Sequence, residues 1–468
     1  MSFFRDLEGF GDRVALIDET GTSCSYRQLA SRADAVGRIV GSGSFVTCLC
    51  ENTLGSVAGY LGILRAGSVS LMLGGGTDAE RLSRFIDAYR PNYVWLPSGR
   101  ASKLSLGETV HQEFDYSLVA LANNPAVALH PDLALLLTTS GSTGSPVLVR
   151  QTACNLTANS NSIAESLGIR ESDKPITTLP MNYTYGLSIL NSHLLRGCGI
   201  VLSTRSVTDR QFWKTIDDLA VTGFGGVPYT FETLRRFGFS FLKYGKLRML
   251  TQAGGKLKEE LVREFDAACR GRGIAFVVMY GQTEATARMS YLPHERAVGK
   301  PGSIGIAIPG GRFWLEDDSG VVISEPNAVG ELVYAGKNVT MGYARTATDL
   351  AKGDENNGVL RTGDLAFRDE DGLYFIAGRR KRFIKLFGNR VSLDEVEQYV
   401  GSIAYPCACV GTDEKLTIFI TDSAMAEDVR QKVAQFLNVH ISGVVVRYRE
   451  TLPRNEAGKI QYSVLTAE

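Results

Sequence analysis

The chain has 468 residues, with 50 Lys+Arg against 50 Asp+Glu, 44% hydrophobic residues and 50 glycines. A net charge of zero argues against nucleic acid as the main partner, and the apolar fraction is that of a globular chain with a sizeable core. The glycines are scattered rather than periodic, which excludes a collagen-like chain; at about 150 residues per domain the length suits three domains or two unequal ones.

From the N-terminus, residues 1–12 carry Asp6, Glu8 and Asp12 without the apolar stretch of a secretory signal. No window reaches the ~18 uninterrupted apolar residues of a membrane helix, so a cytoplasmic protein is expected. Residues 14–18 and 23–26 predict a short hairpin around Thr20-Gly21, followed by a helix over 27–40. Residues 46–50, 67–73 and 93–97 read as buried strands alternating with helices. Thr77-x-x-Glu80, ahead of Leu82, Phe85 and Ile86, fits a capping box, and Gly74-Gly75-Gly76 fits a strand-to-helix turn. The alternation continues through strands at 133–137, near Leu179 and Ile200, and at 223–227, 247–251 and 276–279. Such alternation predicts parallel sheets with helices on both faces.

Past residue 300, short strands at 305–314, 330–334, 360–362 and 373–377, separated by Gly/Asp/Asn turns, predict a small β-rich subdomain. The basic run Arg379-Arg380-Lys381-Arg382 then reads as a boundary, with an α+β unit after it. The expected fold class is α/β. A large N-terminal domain, 1–380, holds parallel-sheet α/β subdomains and the β-rich one; a small α+β domain, 381–468, follows. Cys48/Cys50 and Cys407/Cys409 are C-x-C pairs in strand-like surroundings. Zinc pairs usually have two to four residues between the cysteines, so buried thiols are expected.

The chemistry begins directly after the 133–137 strand, at Thr138-Thr139-Ser140-Gly141-Ser142-Thr143-Gly144-Ser145-Pro146. Gly141 and Gly144 give the backbone freedom for N–H groups to converge on an anion, and the hydroxyls are further donors. No Walker motif occurs, and alone such a run is more often a solvated loop than a nucleotide site. Its company decides otherwise. Tyr280-Gly281-Gln282-Thr283-Glu284 follows another strand and offers an aromatic for stacking, a hydroxyl and a carboxylate suited to Mg²⁺. Arg361-Thr362-Gly363-Asp364, Gly378-Arg379 and Leu452-Pro453-Arg454-Asn455-Glu456-Ala457-Gly458-Lys459 complete the set.

In this order and spacing, the set resembles the adenylate-forming superfamily of acyl- and aryl-CoA synthetases, peptide-synthetase adenylation domains and luciferases, over nearly the whole chain. The resemblance implies an enzyme that joins a carboxylic acid to AMP, releasing pyrophosphate, and passes the acyl group to a thiol or amine. Its cofactors and co-substrates would be ATP, Mg²⁺ and CoA or a carrier-protein phosphopantetheine. The implied ATP/AMP site comprises Thr139, Ser140, Gly141, Ser142, Thr143 and Gly144 at the β- and γ-phosphates, with Thr283 at the α-phosphate and Tyr280 on adenine. Gly281, Gln282, Gly255 and Lys256 belong to it, as do Asp364 at the ribose hydroxyls and Arg379 assisting. Glu284 would hold Mg²⁺, and Lys459 would bridge the carboxylate and the α-phosphate, so Lys459, Thr283 and Glu284 are the implied catalytic residues. Lys381 matches the hinge about which the small C-terminal lid would swing between half-reactions. Phe387-Gly388-Asn389-Arg390 resembles the loop flanking the pantetheine tunnel.

Departures bear on the substrate. Val147 stands where the family has Lys after Pro146, with Arg150 a candidate substitute for the charge; Asn182-Tyr183 replaces an aromatic-His pair; Lys256 sits where a small neutral residue is usual; and Ala457 replaces Ser. No Asp lies between Asn182 and Gly186 to bind an α-ammonium group, which disfavours α-amino acids. Tyr183, Tyr185, Gly186, Leu187, Pro228, Tyr229 and Gly254 suggest a mixed aromatic and apolar acyl pocket for an aryl or a short- to medium-chain acid. The leading expectation is an AMP-forming acid–CoA ligase. The alternatives are an enzyme loading a separate carrier protein or an amine, and a catalytically decayed ATP/AMP-binding protein.

Overall fold

The computed structural model describes residues 2–121, 127–138, 147–380, 382–386, 389–404, 406–412, 414–437, 439–455 and 458–467. The expected phosphate loop (Thr139, Ser140, Gly141, Ser142, Thr143 and Gly144), the hinge Lys381, and Phe387, Gly388 and Ala457 lie outside the described residues.

The chain forms two compact units. One comprises Met1–Phe313 and Tyr334–Leu360, the other Trp314–Val333 and Arg361–Glu468. In the first unit the centre of an eight-stranded sheet is parallel. Phe45–Cys50 lies between Val69–Gly74 and Tyr93–Pro97, and Leu133–Thr138 flanks Val69–Gly74. These strands are buried at nearly every position, the pattern of strands covered on both faces. Antiparallel strands finish the sheet: Tyr116–Ala120 and Glu108–Glu113 at one end, Leu148–Thr152 and Tyr343–Ala344 at the other. A second sheet runs parallel through Gly223–Gly226, Met249–Gln252 and Ala275–Gly281, then antiparallel through Arg288–Tyr291 and Ser303–Ala307. The N-terminal hairpin pairs Val14–Asp18 with Ser23–Ser25, and Ser25 caps helix Tyr26–Val40 in a reciprocal box with Gln28.

Glycines permit one close helix crossing. Helices Tyr26–Val40 and Leu54–Arg65 meet where a Cβ on Gly62 would run into the carbonyl of Ala33. On the same helix, Gly59 lies flat on the indole of the fully buried Trp95, whose Nε1 donates to Gly55 O at 3.1 Å.

The second unit contains an antiparallel ladder that pairs residues 364–368 with 374–379. It also contains a three-stranded sheet of Cys407–Thr412, Lys415–Ile420 and Val444–Tyr448. Helices Leu393–Gly401 and Ala426–Leu437 supply Val396, Val400, Val429 and Val433 to the core against this sheet.

Three local expectations are corrected. The cap before Ala79–Tyr89 is Asp78, which accepts from Arg81 N, because Thr77 instead donates its hydroxyl to Gly74 O at 2.7 Å. The expected strand at 305–314 is two strands, Ser303–Ala307 and Gly311–Glu316, separated by a turn with Gly310 at φ +79. Leu179 lies outside any strand; Pro180 has no N–H to extend a ladder there. The cysteines are free, Cys48, Cys50, Cys407 and Cys409 among the buried ones, and burial pushes the Cys48 thiol up to about 12. Among the described residues no helix is long and apolar enough to cross a membrane.

Replacing Gly59 by Ala drives a methyl into a ring that has no room to retreat. We expect a loss of about 1–3 kcal/mol despite the better helix propensity of Ala. Gly99→Ala, where no atom lies within 4 Å of the added carbon, is the matched control and should be near neutral. Denaturant midpoints compare the two.

Candidate active site

The Tyr280–Glu284 motif leaves strand Ala275–Gly281 and enters a 3₁₀ turn, Thr283–Ala285. Gly281 pairs with Arg288 across the antiparallel ladder, and any Cβ there would strike the carbonyl of Ala287. Its glycine is required by that approach. Gln282 Nε2 donates to the Tyr280 hydroxyl at 3.2 Å, and Tyr280 lies 6.4 Å from Phe313 at a tilted angle. The turn closes at Thr286, a β-branched residue at φ +65, a conformation that persists only when its surroundings impose it. Thr286 N donates to Thr283 O, its hydroxyl donates to Asn338 O at 2.7 Å, and the Thr184 hydroxyl donates to its carbonyl.

Glu284 is held at both ends. Its carbonyl accepts from Thr340 N at 3.0 Å and from the Thr340 hydroxyl at 2.9 Å. Its Oε1 accepts from the Tyr343 hydroxyl at 2.7 Å. Burial and the Glu284 charge together push the Tyr343 phenol above its ordinary range, so it stays a donor. Tyr343 was not among the residues expected from sequence; only the ladder of Tyr343–Ala344 on Leu148–Thr152 brings it to Glu284.

The expected acyl-pocket residues largely converge. Tyr183 precedes helix Thr184–Leu194, and its hydroxyl lies 2.5 Å from where a Cβ on Gly254 would stand; Gly254 itself is at φ +85. Tyr183 and Tyr185 meet edge to face at 6.3 Å, and the Tyr185 hydroxyl bonds Thr251 Oγ1 at 2.8 Å. Gly186 packs on the carbonyls of Leu179 and Pro180, Leu187 is buried in the core, and Gly255 packs on Pro228. Tyr229, by contrast, is 49% exposed, and Lys256 is exposed.

Arg150 does not supply the charge missing at Val147. Its side chain is fully buried, and it donates to the carbonyls of Met341, Tyr343, Lys352 and Gly353 and to Glu355 Oε2 at 2.6 Å. A guanidinium has five N–H groups. Full burial and these five acceptors commit the side chain to the protein rather than to a phosphate.

In the second unit, Asp364 and Arg379 face each other across the ladder, with Arg379 Nε donating to Asp364 Oδ1 at 3.0 Å. Asp364 is 3% exposed, while the Arg379 side chain is mostly exposed. Lys459 lies in a tight loop. Its N–H donates to Asn455 Oδ1 at 2.9 Å and its carbonyl accepts from Asn455 N at 2.9 Å. Gly458 turns the loop at φ +73.

The family model for "AMP-binding enzyme" matches residues 3–344. An oxalate–CoA ligase of Arabidopsis thaliana is 26% identical, over 97% of this chain and 95% of its own length. The o-succinylbenzoate CoA synthetase of Bacillus subtilis has been solved with its acyl-adenylate intermediate, and that structure superposes with a TM-score of 0.80 at 22% identity, covering 99% of this chain and 97% of that one. Its complex with ATP and magnesium gives 0.79 at 22% identity, over 99% of both chains. The chain belongs to the AMP-binding enzymes, the adenylate-forming superfamily whose motifs it carries. Its class is that of the ATP-dependent acid–thiol ligases.

Arg150→Met should cost about 3–5 kcal/mol, since it leaves buried carbonyls and Glu355 without their donor. The folded fraction should keep its KM for ATP. A raised KM with unchanged stability would instead restore Arg150 to the phosphate site.

Proposed function

We propose that the chain is an AMP-forming carboxylate ligase that activates an aryl or short- to medium-chain acid with ATP and transfers the acyl group to CoA. A carboxylate oxygen attacks the α-phosphorus, the bond to the β-phosphate breaks and pyrophosphate leaves. A thiolate then attacks the acyl carbon of the mixed anhydride and AMP leaves. The observation that carries this reading is the Tyr280–Glu284 turn, with Glu284 clamped by Tyr343 and Thr340, in a chain whose fold matches an acyl-adenylate complex over nearly its whole length.

The residues fit a magnesium ion that arrives with the nucleotide. Mg²⁺ typically takes one or two carboxylates plus substrate phosphates. Glu284 offers one oriented carboxylate, and no cluster of three His, Cys, Asp or Glu exists among the described residues. The chemistry such an ion supplies is neutralisation of charge on the departing phosphates. Glu284 would hold it, Thr283 would donate to the α-phosphate, Tyr280 would stack on adenine and Asp364 would accept from the ribose hydroxyls. Lys459 would stabilise charge between the carboxylate and the α-phosphate.

Lys381 would be the hinge between domains 1–380 and 381–468. Its neighbours support this. Arg380 pairs with Glu331 at 2.6 Å and Asp318 at 3.1 Å, on one side of the proposed division. Arg382 pairs with Asp394 at 2.9 Å and Glu397 at 2.8 Å, on the other. Unbridged, mostly buried cysteines suit the reducing cytoplasm.

ATP–pyrophosphate exchange across a panel of aryl, short-chain and medium-chain acids tests the first half-reaction, and free CoA against a phosphopantetheinylated carrier protein tests the second. Lys459→Ala should lower exchange about 10²–10³-fold yet largely spare thiolysis of a preformed adenylate. Equal loss in both half-reactions would sink that role. Tyr343→Phe should raise the Mg²⁺ concentration needed for half-maximal exchange severalfold at unchanged stability, because Glu284 then loses its orienting donor. An unchanged magnesium dependence would place Tyr343 outside the metal site.

A further inference from the structure

Arg288 begins the strand after the Tyr280–Glu284 turn and is 2% exposed. Its backbone is locked: Asn159 Nδ2 donates to its carbonyl at 2.8 Å, and Asn338 Nδ2 at 3.3 Å. Its side chain is provided for far less well. Among the described residues the guanidinium has no carboxylate partner. One Nη1 contact reaches Met279 Sδ at 3.0 Å, a weak acceptor. The face of Tyr185 lies 4.8 Å away, and Nε is buried without a hydrogen-bond partner. His193, the imidazole sharing this surrounding, is pushed down to about 4 by burial and stays neutral.

This arrangement contrasts with Arg150, the other fully buried arginine among the described residues. Arg150 uses four carbonyls and a carboxylate. Burying a guanidinium is costly unless it is paired and hydrogen-bonded, and a π-face with a thioether replaces only part of the lost hydration. A cation kept in that condition is one whose counter-charge comes from elsewhere. Its position says from where. Arg288 stacks on Tyr185, Tyr185 meets Tyr183, and Tyr183 covers Gly254. The guanidinium therefore closes the far end of the aromatic set that would hold the acyl group.

We infer that Arg288 binds a second carboxylate at the distal end of the acid substrate, so that the ligase acts on dicarboxylic acids. The inference rests on the proposed acyl site and narrows its substrate. A carboxylate matches the planar fork of a guanidinium and accepts two N–H bonds at once. A neutral acid of the same length leaves the cation unpaired, so the site rejects it as well as favouring the dianion.

The test uses acyl-sulfamoyl adenosines of succinate, glutarate and adipate, each paired with its ω-methyl ester, titrated calorimetrically into the whole protein. For at least one length the free carboxylate should bind at least about 100-fold more tightly than its ester. In Arg288→Met that ratio should fall to within about fivefold of one, and Arg288→Lys should keep an intermediate ratio. The melting temperature of Arg288→Met should not drop, because no protein carboxylate loses its partner. Should the Met variant not fold, a ratio at least tenfold lower in Arg288→Lys than in the wild type supports the same assignment, and an unchanged ratio overturns it. Esters binding as well as free carboxylates, or a ratio that survives Arg288→Met, overturns the inference while leaving the ligase reading in place. If no analogue of either kind binds, the acyl-site reading and the inference fall together.

Discussion

A guanidinium without water must find acceptors, and the way Arg150 finds them organises the first unit. Its acceptors are carbonyls of the 341–353 segment and the Glu355 carboxylate. Arg150 thus binds that segment to the strand that follows the glycine- and serine-rich run. Tyr343 is on the same segment, and its hydroxyl fixes Glu284. Thr340 precedes it and holds the Glu284 backbone. The orientation of the carboxylate expected to meet magnesium is therefore set by an arginine that touches no part of it.

Arg150 and Arg288 show two uses of the same side chain. One is met by four carbonyls and a carboxylate, with every guanidinium nitrogen bonded, and contributes to stability. The other is backed only by an aromatic face and a sulfur, and its residual demand for an anion is available for recognition. The strain at Thr286 belongs to the same region. A left-handed threonine is imposed there by hydrogen bonds to Thr283, Thr184 and Asn338, which turns the chain sharply between Glu284 and Arg288. Three residues separate a proposed metal ligand from a proposed substrate ligand, and that turn directs them to different parts of the site.

Much of the fold could be read from local pattern. The buried strands, the Ser25 cap and the hairpin at Gly21 depend on neighbours a few residues away, so their signals survive in the bare sequence. Errors occurred where a local signal had two solutions. Thr77 could cap the helix or bond back to Gly74, and the fold gave the capping role to Asp78. Asp364 and Arg379 were readable as a set because each sits in a contiguous motif, and the ladder brings them face to face. Tyr343 had no such signal, since Glu284 is 59 residues away in the chain.

The amino-acid order by itself therefore determined the class of chemistry. Adenylate-forming motifs are short, ordered runs whose glycines, hydroxyls and carboxylates act where they stand. Only the tertiary structure decided which charges are spent and which remain for use. Arg150 and Arg288 look alike in sequence, each an arginine near a strand, and both end up buried. What separates them is the count of acceptors that distant segments bring to each guanidinium, a quantity that exists only once the chain has closed around it.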